Sequence, residues 1–136
     1  MPTAKEFTVL MDDQPGTLGK TCRALADRNV NIIATHSFPI GGKSVVRFVF
    51  DNPTTAKSVL DSERLPCTES EVVQVKLPHR PGAIAGAASR LGDANININY
   101  LYCGVEPGTN ATLVIFGVAE VARALPILEQ AAAAAA

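Results

Sequence analysis

The chain carries little charge of either sign and no long hydrophobic run. Only 18% of its 136 residues are charged, and 12 basic and 13 acidic side chains give a net charge of -1. No stretch gathers lysine and arginine into a basic stripe that could neutralise phosphates, so we expect neither nucleic acid nor a membrane surface as a partner. No apolar run approaches the roughly 20 residues that span a bilayer, and residues 1–6 lack the apolar core of a signal peptide. We therefore expect a cytoplasmic protein.

Cysteine is also scarce. The three residues Cys22, Cys67 and Cys103 are odd in number and contain no C-x-x-C spacing, which favours reduced structural thiols over a disulfide framework or a metal site. We expect no metal and no cofactor. Apolar residues, in contrast, make up 47% of the chain, enough for a compact core rather than disorder.

The chain contains an internal sequence repeat. The pair Pro15-Gly16 recurs 66 positions later as Pro81-Gly82, and the same offset carries Asn29-Val30-Asn31-Ile32 onto Asn95-Ile96-Asn97-Ile98. Phe50 falls onto Phe116 at this offset, so the alignment needs no gap. Two copies of one unit are predicted, over residues 1–69 and 70–136.

Each copy is predicted to run strand, helix, strand, strand, helix. Apolar spacing predicts that Leu18, Cys22 and Leu25 face a core in the first copy, as Ile84, Ala88 and Leu91 do in the second. The predicted strands cover residues 7–12, 30–38 and 44–50, then 72–77 and 111–118, with a tight turn at Gly41-Gly42 and a longer connection at 104–110. Later helices are expected at 54–62 and 120–130, where Pro126 marks a boundary or a kink.

This order indicates the α/β class, as an α+β sandwich of two ferredoxin-like βαββαβ units with antiparallel sheets and helices on one face. A short last strand of the first copy is expected at residues 66–68. The matching strand of the second copy would fall on the run Ala131–Ala136, which is also compatible with a helical tail.

The motif Asp13-Gln14-Pro15-Gly16-Thr17-Leu18, followed by the Asn-x-Asn-Ile segment, resembles an ACT domain, a regulatory module of amino-acid-sensing enzymes. His79-Arg80-Pro81-Gly82-Ala83-Ile84 resembles a second one, so the resemblance covers residues 4–130. It implies a tandem ACT protein that binds a ligand or regulates without an attached catalytic domain. In serine-regulated members of the family, an asparagine at the place of Asn31 and Asn97 contacts the effector across an interface. Met11 and Leu77 replace a polar residue of that serine site, so the resemblance does not extend to serine specificity.

Physical chemistry supports a site at the Pro-Gly turns. A helix N-terminus offers unpaired N–H groups and a positive dipole end to an anion such as a carboxylate, and glycine lets a ligand approach them closely. The alternative is that Pro-Gly only makes a sharp turn between strand and helix. Asp13 could accept from an ammonium group, whereas His79 and Arg80 favour an anionic group, so the two sites need not bind alike.

The asparagines divide into two predicted roles. Asn29 and Asn95 are placed to end the first helices as left-handed residues. Asn31 and Asn97 are predicted to contact the ligand with carboxamides that both donate and accept, although a local backbone hydrogen bond is the alternative. The predicted ligand-binding residues are Asp13, Gln14, Gly16, Thr17, Leu18, Asn31, Ile32, His79, Arg80, Gly82, Ala83, Ile84, Asn97 and Ile98.

No catalytic constellation can be assembled. His36 has Thr35 and Ser37 as neighbours, but adjacent side chains of a strand face opposite ways and form no dyad. We predict a non-enzyme that binds a small molecule, an amino acid in particular, at the interface between ACT modules. The alternative is a regulatory subunit that docks on a metabolic enzyme without binding a ligand. Unpaired sheet edges favour a homodimer in either case.

Overall fold

The computed structural model describes residues 3–135, which form six strands and four helices in two compact units. The first unit is Lys5–Ser70, and the second contains residues 71–135 together with residues 3 and 4. In chain order the elements are β1 (Thr3–Asp12), α1 (Thr17–Asp27), β2 (Ile32–Ile40), β3 (Lys43–Phe50), α2 (Pro53–Ser62), β4 (Cys67–Pro78), α3 (Ala83–Asp93), β5 (Ile98–Gly104), β6 (Ala111–Val118) and α4 (Val121–Ala135). The predicted order of strand, helix, strand, strand, helix is confirmed twice.

The first unit has an antiparallel sheet with β3 between β1 and β2. The start of β4 joins this unit beside β1, since the N–H of Leu10 donates to the carbonyl of Pro66 (2.9 Å). Alternate residues of the strands meet the helices in a core built around aromatic rings. The centroids of Phe48 and Phe50 are 5.0 Å apart, and those of Phe7 and Phe50 are 5.5 Å apart.

The second unit repeats this architecture with β6 between β4 and β5. Its core contains the side chains of Val114 and Phe116, which are fully buried, and of Val118. They occupy the places that Val46, Phe48 and Phe50 hold in the first unit, since Val46 pairs with Val9 of β1 and Val114 with Val75 of β4. The predicted antiparallel ferredoxin-like fold is thus present in each unit.

The gapless alignment is wrong beyond the β2–β3 hairpin. Val9 and Val75 keep the offset of 66, whereas their partners Val46 and Val114 differ by 68. Two extra residues therefore lie in the second hairpin, and the structural equivalent of Phe116 is Phe48 rather than Phe50. β2 and β3 extend to the two-residue turn at Gly41 and Gly42, while residues 105–110 open into a loop. The longer connection predicted for the second copy is confirmed.

A β-bulge occurs at the same place in both units and was not predicted. Pairing with the neighbouring strand shifts between Ile32 and Ala34 in β2, and between Ile98 and Tyr100 in β5. The bulged residues are Ile33 and Asn99, directly after the Asn-x-Asn-Ile motif. A bulge turns a side chain away from the regular alternation of a strand.

The predicted buried face of the first helices is confirmed at Leu25 and Leu91 and is displaced by one residue at the earlier positions. Helix α1 buries Thr21 and Leu25, and α3 buries Ala83, Ala87 and Leu91, whereas Leu18 is 41% exposed. The buried positions recur every fourth residue, and small side chains among them allow close packing on the sheet. The helical spacing of apolar residues predicted Leu18 and Ile84 in the core. Leu18 is exposed and Ile84 packs against the edge of the core, both at the starts of the helices.

Two further expectations are corrected at strand boundaries. The short strand expected at residues 66–68 and the strand expected at 72–77 are one continuous strand, β4. The closing strand expected on the alanine run is wrong for residues 131–135, which continue α4, as the high helix propensity of alanine favours. Residue 136 lies outside the described residues. Pro126 is accommodated inside α4 and is not a boundary.

Candidate functional site

The turn between the first strand and first helix has the same backbone hydrogen bonds in both units. The N–H of Thr17 donates to the carbonyl of Gln14 (3.2 Å), and the N–H of Ala83 donates to the carbonyl of Arg80 (3.3 Å). The two Pro-Gly motifs therefore build one loop structure twice. The N–H groups of Thr17 and Ala83 are already occupied in it.

The hairpin of each unit supports this turn. The N–H of Asp13 donates to the carbonyl of Gly42 (3.3 Å), and the N–H of His79 donates to the carbonyl of Asn110 (3.1 Å). Both acceptors lie at the matched hairpin position. The backbone of the loop is thus fixed before any ligand is bound.

Gly16 and Gly82 are the N-cap residues of α1 and α3, with nearly the same left-handed conformation. Their φ and ψ angles are 90° and -17°, and 93° and -14°. Such a φ strains any residue with a Cβ. A Cβ would meet no atom within 4 Å at either position, so each glycine leaves open space in front of the helix. Their predicted equivalent placement is confirmed.

The first turn of each helix keeps N–H groups available. Among residues 3–135 no backbone or capping side-chain acceptor bonds the N–H groups of Leu18 and Gly19 in α1, or of Ile84 and Ala85 in α3. The positive end of the helix dipole adds to their attraction for an anion. The apolar side chains of Leu18 and Ile84 lie on the same turn.

The polar groups around the first loop are exposed. Lys43 Nζ donates to Asp12 Oδ1 (2.7 Å), and this hydrogen bond holds the pKa of the Asp12 carboxyl below its usual range. Asp13 and Gln14 follow on the loop with solvent-exposed side chains. The first loop therefore carries acidic and neutral groups beside its helix N-terminus.

The second loop differs in charge and in its neighbours. His79 is exposed, and Arg80 Nη2 donates to the carbonyl of Ala135 at the end of α4. The guanidinium thus lies at a helix C-terminus, where a cation is favourable. Only its remaining donors are available to an anion.

Concavities lie at both ends of α3 in the described part of the chain. One of about 280 Å³ lies where its first turn faces the last turn of α4, and one of about 510 Å³ follows the loop and the outer side of the first turn. The third, of about 210 Å³, lies at the other end of α3 beside Asn95 and Asn97. The second concavity is lined by His79, Arg80, Pro81, Gly82, Ile84 and Ala85.

Asn29 and Asn95 end the first helices as predicted. Their φ angles are 60° and 58°. The N–H of the next residue returns to the carbonyl of Leu25 in the first unit (3.0 Å) and of Leu91 in the second (2.9 Å), which completes a Schellman motif. The prediction of left-handed capping is confirmed.

Asn31 is held by its backbone. Its N–H donates to Asp51 Oδ1 (2.9 Å), and its carbonyl accepts from the N–H of Asp51 (3.1 Å). These two bonds fix the start of β2 to the end of β3 and leave the Asn31 carboxamide exposed. The role of Asp51 was not predicted, because nothing in the sequence near Asn31 indicates which distant carboxylate reaches it.

Asn97 is held by its side chain. Its Nδ2 donates to Oδ1 of Asn99, the bulged residue of β5 (3.1 Å), and both residues are exposed. This contact was also missed, since regular strand geometry does not predict the bulge. Ile32 and Ile98, each the next residue after the asparagine, are half-buried and pack against the cores of their units.

The asparagines lie at the opposite end of the first helix from the glycines. An α3 of 11 residues is about 16 Å long, which exceeds the reach of a small amino acid. Gly82 and Asn97 of one unit therefore cannot contact the same small ligand molecule.

A further pair of titratable groups lies on the sheet of the first unit, His36 of β2 opposite Arg47 of β3. His36 Nε2 lies 3.3 Å from Arg47 Nη1, and burial, then the charge of Arg47, lowers the pKa of the imidazole, while Glu6 raises it. Residues 3–135 contain no group of three or more histidine, cysteine or acidic side chains that could hold a metal ion. None of their helices is long and apolar enough to cross a membrane.

Comparison with known families gives a match over nearly the whole chain. Residues 2–132 match the family described as an ACT domain pair. No curated protein matches the chain significantly.

Solved structures resemble the chain along nearly its full length. Protein BT0572 of Bacteroides thetaiotaomicron superposes with a TM-score of 0.87 at 21% identity, covering 95% of this chain and 88% of that one. The regulatory subunit of aspartate kinase from Thermus thermophilus gives a TM-score of 0.67 at 18% identity, covering 96% and 92%. The corresponding subunit from Thermus flavus gives 0.68 at 18%, covering 96% and 93%. At these identities the likeness establishes the fold.

Proposed function

The chain belongs to the ACT domain pair family, and from this membership we propose that it is a non-catalytic regulatory protein that binds an amino acid between ACT modules. The observation that carries the proposal is the open first turn of α1 and α3, repeated with the same left-handed glycine. A carboxylate placed there accepts from N–H groups that no described residue uses.

The second half of the proposed site comes from a facing module. The length of the first helix separates the glycine loop of each unit from its own asparagine by about 16 Å. A ligand whose carboxylate lies at Gly16 to Leu18 or Gly82 to Ile84 thus meets Asn31 or Asn97 of another ACT module. Contact from two sides buries an amino acid that a single shallow surface leaves exposed.

The residues proposed to act on the ligand divide by chemistry. The backbone N–H groups of Leu18 and Ile84 donate to the carboxylate. The carboxamide oxygens of Asn31 and Asn97 accept from the ammonium group. Around this common arrangement Asp13 and Gln14 in the first loop, and His79 and Arg80 in the second, select the ligand side chain. Because these pairs differ in charge, the two sites have different preferences.

A thermal-shift screen with the twenty amino acids tests the proposal first, since a ligand that binds only the folded state raises Tm. Calorimetry with the ligand found should then show that Asn31→Ala or Asn97→Ala weakens binding by about 1 to 3 kcal/mol, the usual loss when a buried partner is left unpaired.

The glycines allow a matched pair of variants. Gly16→Ala and Gly16→Val both strain the left-handed backbone, and valine does so more because it is β-branched. Valine also adds more bulk in front of the helix, so valine should abolish binding at that site while alanine retains part of it. The pair Gly82→Ala and Gly82→Val repeats the comparison. Undiminished affinity in all of these folded variants would place the ligand elsewhere.

The second candidate function is docking on an enzyme without a ligand. The regulatory subunits of aspartate kinase have this fold, which favours a metabolic enzyme as the partner. Failure of all twenty amino acids to stabilise the parent chain would make this candidate the better one.

We expect the chain to form a homodimer, because unpaired sheet edges favour association. Light scattering should give twice the mass of one chain at micromolar concentration. A monomer at all concentrations would contradict this expectation.

A further inference from the structure

The asparagine pair of the second unit has no counterpart in the first. The positions that match Asn97 and Asn99 are Asn31 and Ile33. Both units have the bulge at the second position, between Ile32 and Ala34 and between Ile98 and Tyr100. The backbone is therefore the same, and only the bulged side chain differs.

The hydrogen bond from Asn97 Nδ2 to Asn99 Oδ1 (3.1 Å) fixes which way the Asn97 carboxamide faces. This bond uses one of the two N–H groups of Asn97 Nδ2 and leaves the carboxamide oxygen of Asn97 as an acceptor. Asn97 also lines the concavity of about 210 Å³, together with Gly92, Asn95 and Ile96. A carboxamide oxygen is an acceptor only, so the group it suits is a donor.

Asn31 has no such constraint. Ile33 can neither donate nor accept, and its side chain is 42% exposed. Asp51 bonds the backbone of Asn31 rather than its side chain. The Asn31 carboxamide can turn either its oxygen or its nitrogen outward.

Resting on the proposed function, we infer that Asn99 is a positioning residue that orients Asn97 to accept from the α-ammonium group of the ligand. The site that uses Asn97 consequently selects amino acids over carboxylic acids that lack the amino group. The site that uses Asn31 discriminates less between them.

The chain supplies the control for this inference. Asn99→Ile places at the bulge the residue that the first unit carries there, so the variant should fold. Asn99→Asp keeps the acceptor and cannot donate, so it holds Asn97 in the same orientation. Both changes are made in an Asn31→Ala background, so that Asn97 is the asparagine that contacts the ligand.

The measurement is the ratio of dissociation constants, by calorimetry, for the amino acid found in the screen and for its des-amino acid, which for alanine is propionate. With Asn99 present, the amino acid should bind about tenfold more tightly, as expected for one hydrogen bond to a charged group. Asn99→Ile should reduce this preference to about twofold or less, and Asn99→Asp should retain it. A general loss of stability would weaken both ligands alike and leave the ratio unchanged.

Two results would overturn the inference, and only one of them would also overturn the proposed function. If Asn99→Ile keeps the full preference, Asn99 does not position Asn97, while the proposed function stands. If no amino acid stabilises the parent chain, the proposed function fails and the inference fails with it.

Discussion

In the first unit Ala34 of β2 lies opposite Val49 of β3, and at the matched positions of the second unit Tyr100 lies opposite Gly117. The ring of Tyr100 occupies the space where a Cβ of Gly117 would be. One unit fills this part of its sheet with two small side chains, and the other fills it with one large ring over a glycine.

The next pair along the same strands differs in polarity. His36 lies opposite Arg47 in the first unit, and Tyr102 lies opposite Ile115 in the second. Arg47 is also 3.8 Å from a carboxylate oxygen of Glu6, a residue with no exposed surface. The first unit therefore carries charged and titratable groups where the second carries aromatic and aliphatic ones.

The backbone at the two ends of the first helix of each unit, in contrast, hardly differs. Gly16 and Gly82 agree within a few degrees, and Asn29 and Asn95 form the same motif at the other end of their helices. These positions need a left-handed backbone, which few residue types adopt. Sheet-face positions need only complementary volume and paired polar groups. The two units show that the loops around the proposed site are constrained by the backbone, while the sheet face is free to diverge.

Among the changes that test this difference between the units, Gly117→Ala is expected to have the largest effect on stability. The new methyl group displaces the Tyr100 ring, which should lower the free energy of unfolding by about 1 to 3 kcal/mol, as overpacking does. Urea denaturation followed by circular dichroism measures the change.

Tyr100→Ala provides the control. In that background Gly117→Ala has no ring to displace, so its cost should fall well below the cost in the parent chain. Equal costs in both backgrounds would show that the ring and the glycine are not coupled, and that the difference between the units has another basis.

The sequence predicted the loops better than the sheet. Pro-Gly and Asn-x-Asn report directly on local backbone conformation, so the helix starts, the left-handed asparagines and the order of elements followed from them. The family resemblance then allowed the asparagines and glycines to be assigned to a site.

What was not predicted depends on contacts between distant residues. The hairpin insertion moved the equivalent of Phe116 from Phe50 to Phe48, because strand pairing rather than sequence spacing sets the register. The bond between Asn31 and Asp51 and the bulge at Asn99 also depend on pairing with distant residues, so the sequence did not predict them. The starts of the helix faces were misplaced by one residue because Leu18 is apolar yet exposed at the first turn, while Leu25 and Leu91 were predicted correctly.

The smallest expected effect is a dependence of stability on pH, and it arises in the first unit alone. Burial, then the charge of Arg47, holds the pKa of His36 below its ordinary value near 6.5, although Glu6 opposes the shift. The unfolded chain therefore binds a proton at His36 more readily than the folded chain. As pH falls through about 6.5 toward the lower folded pKa, the folded state loses stability relative to the unfolded state.

His36→Gln removes this titration and should make the decline of Tm between pH 7.5 and pH 5 shallower. Asp12 does not interfere, since the depressed pKa of its carboxyl places its loss of stability at lower pH. Thermal melts of parent and variant across this range decide the matter: parallel curves would show that His36 is not the group that makes the first unit sensitive to acid.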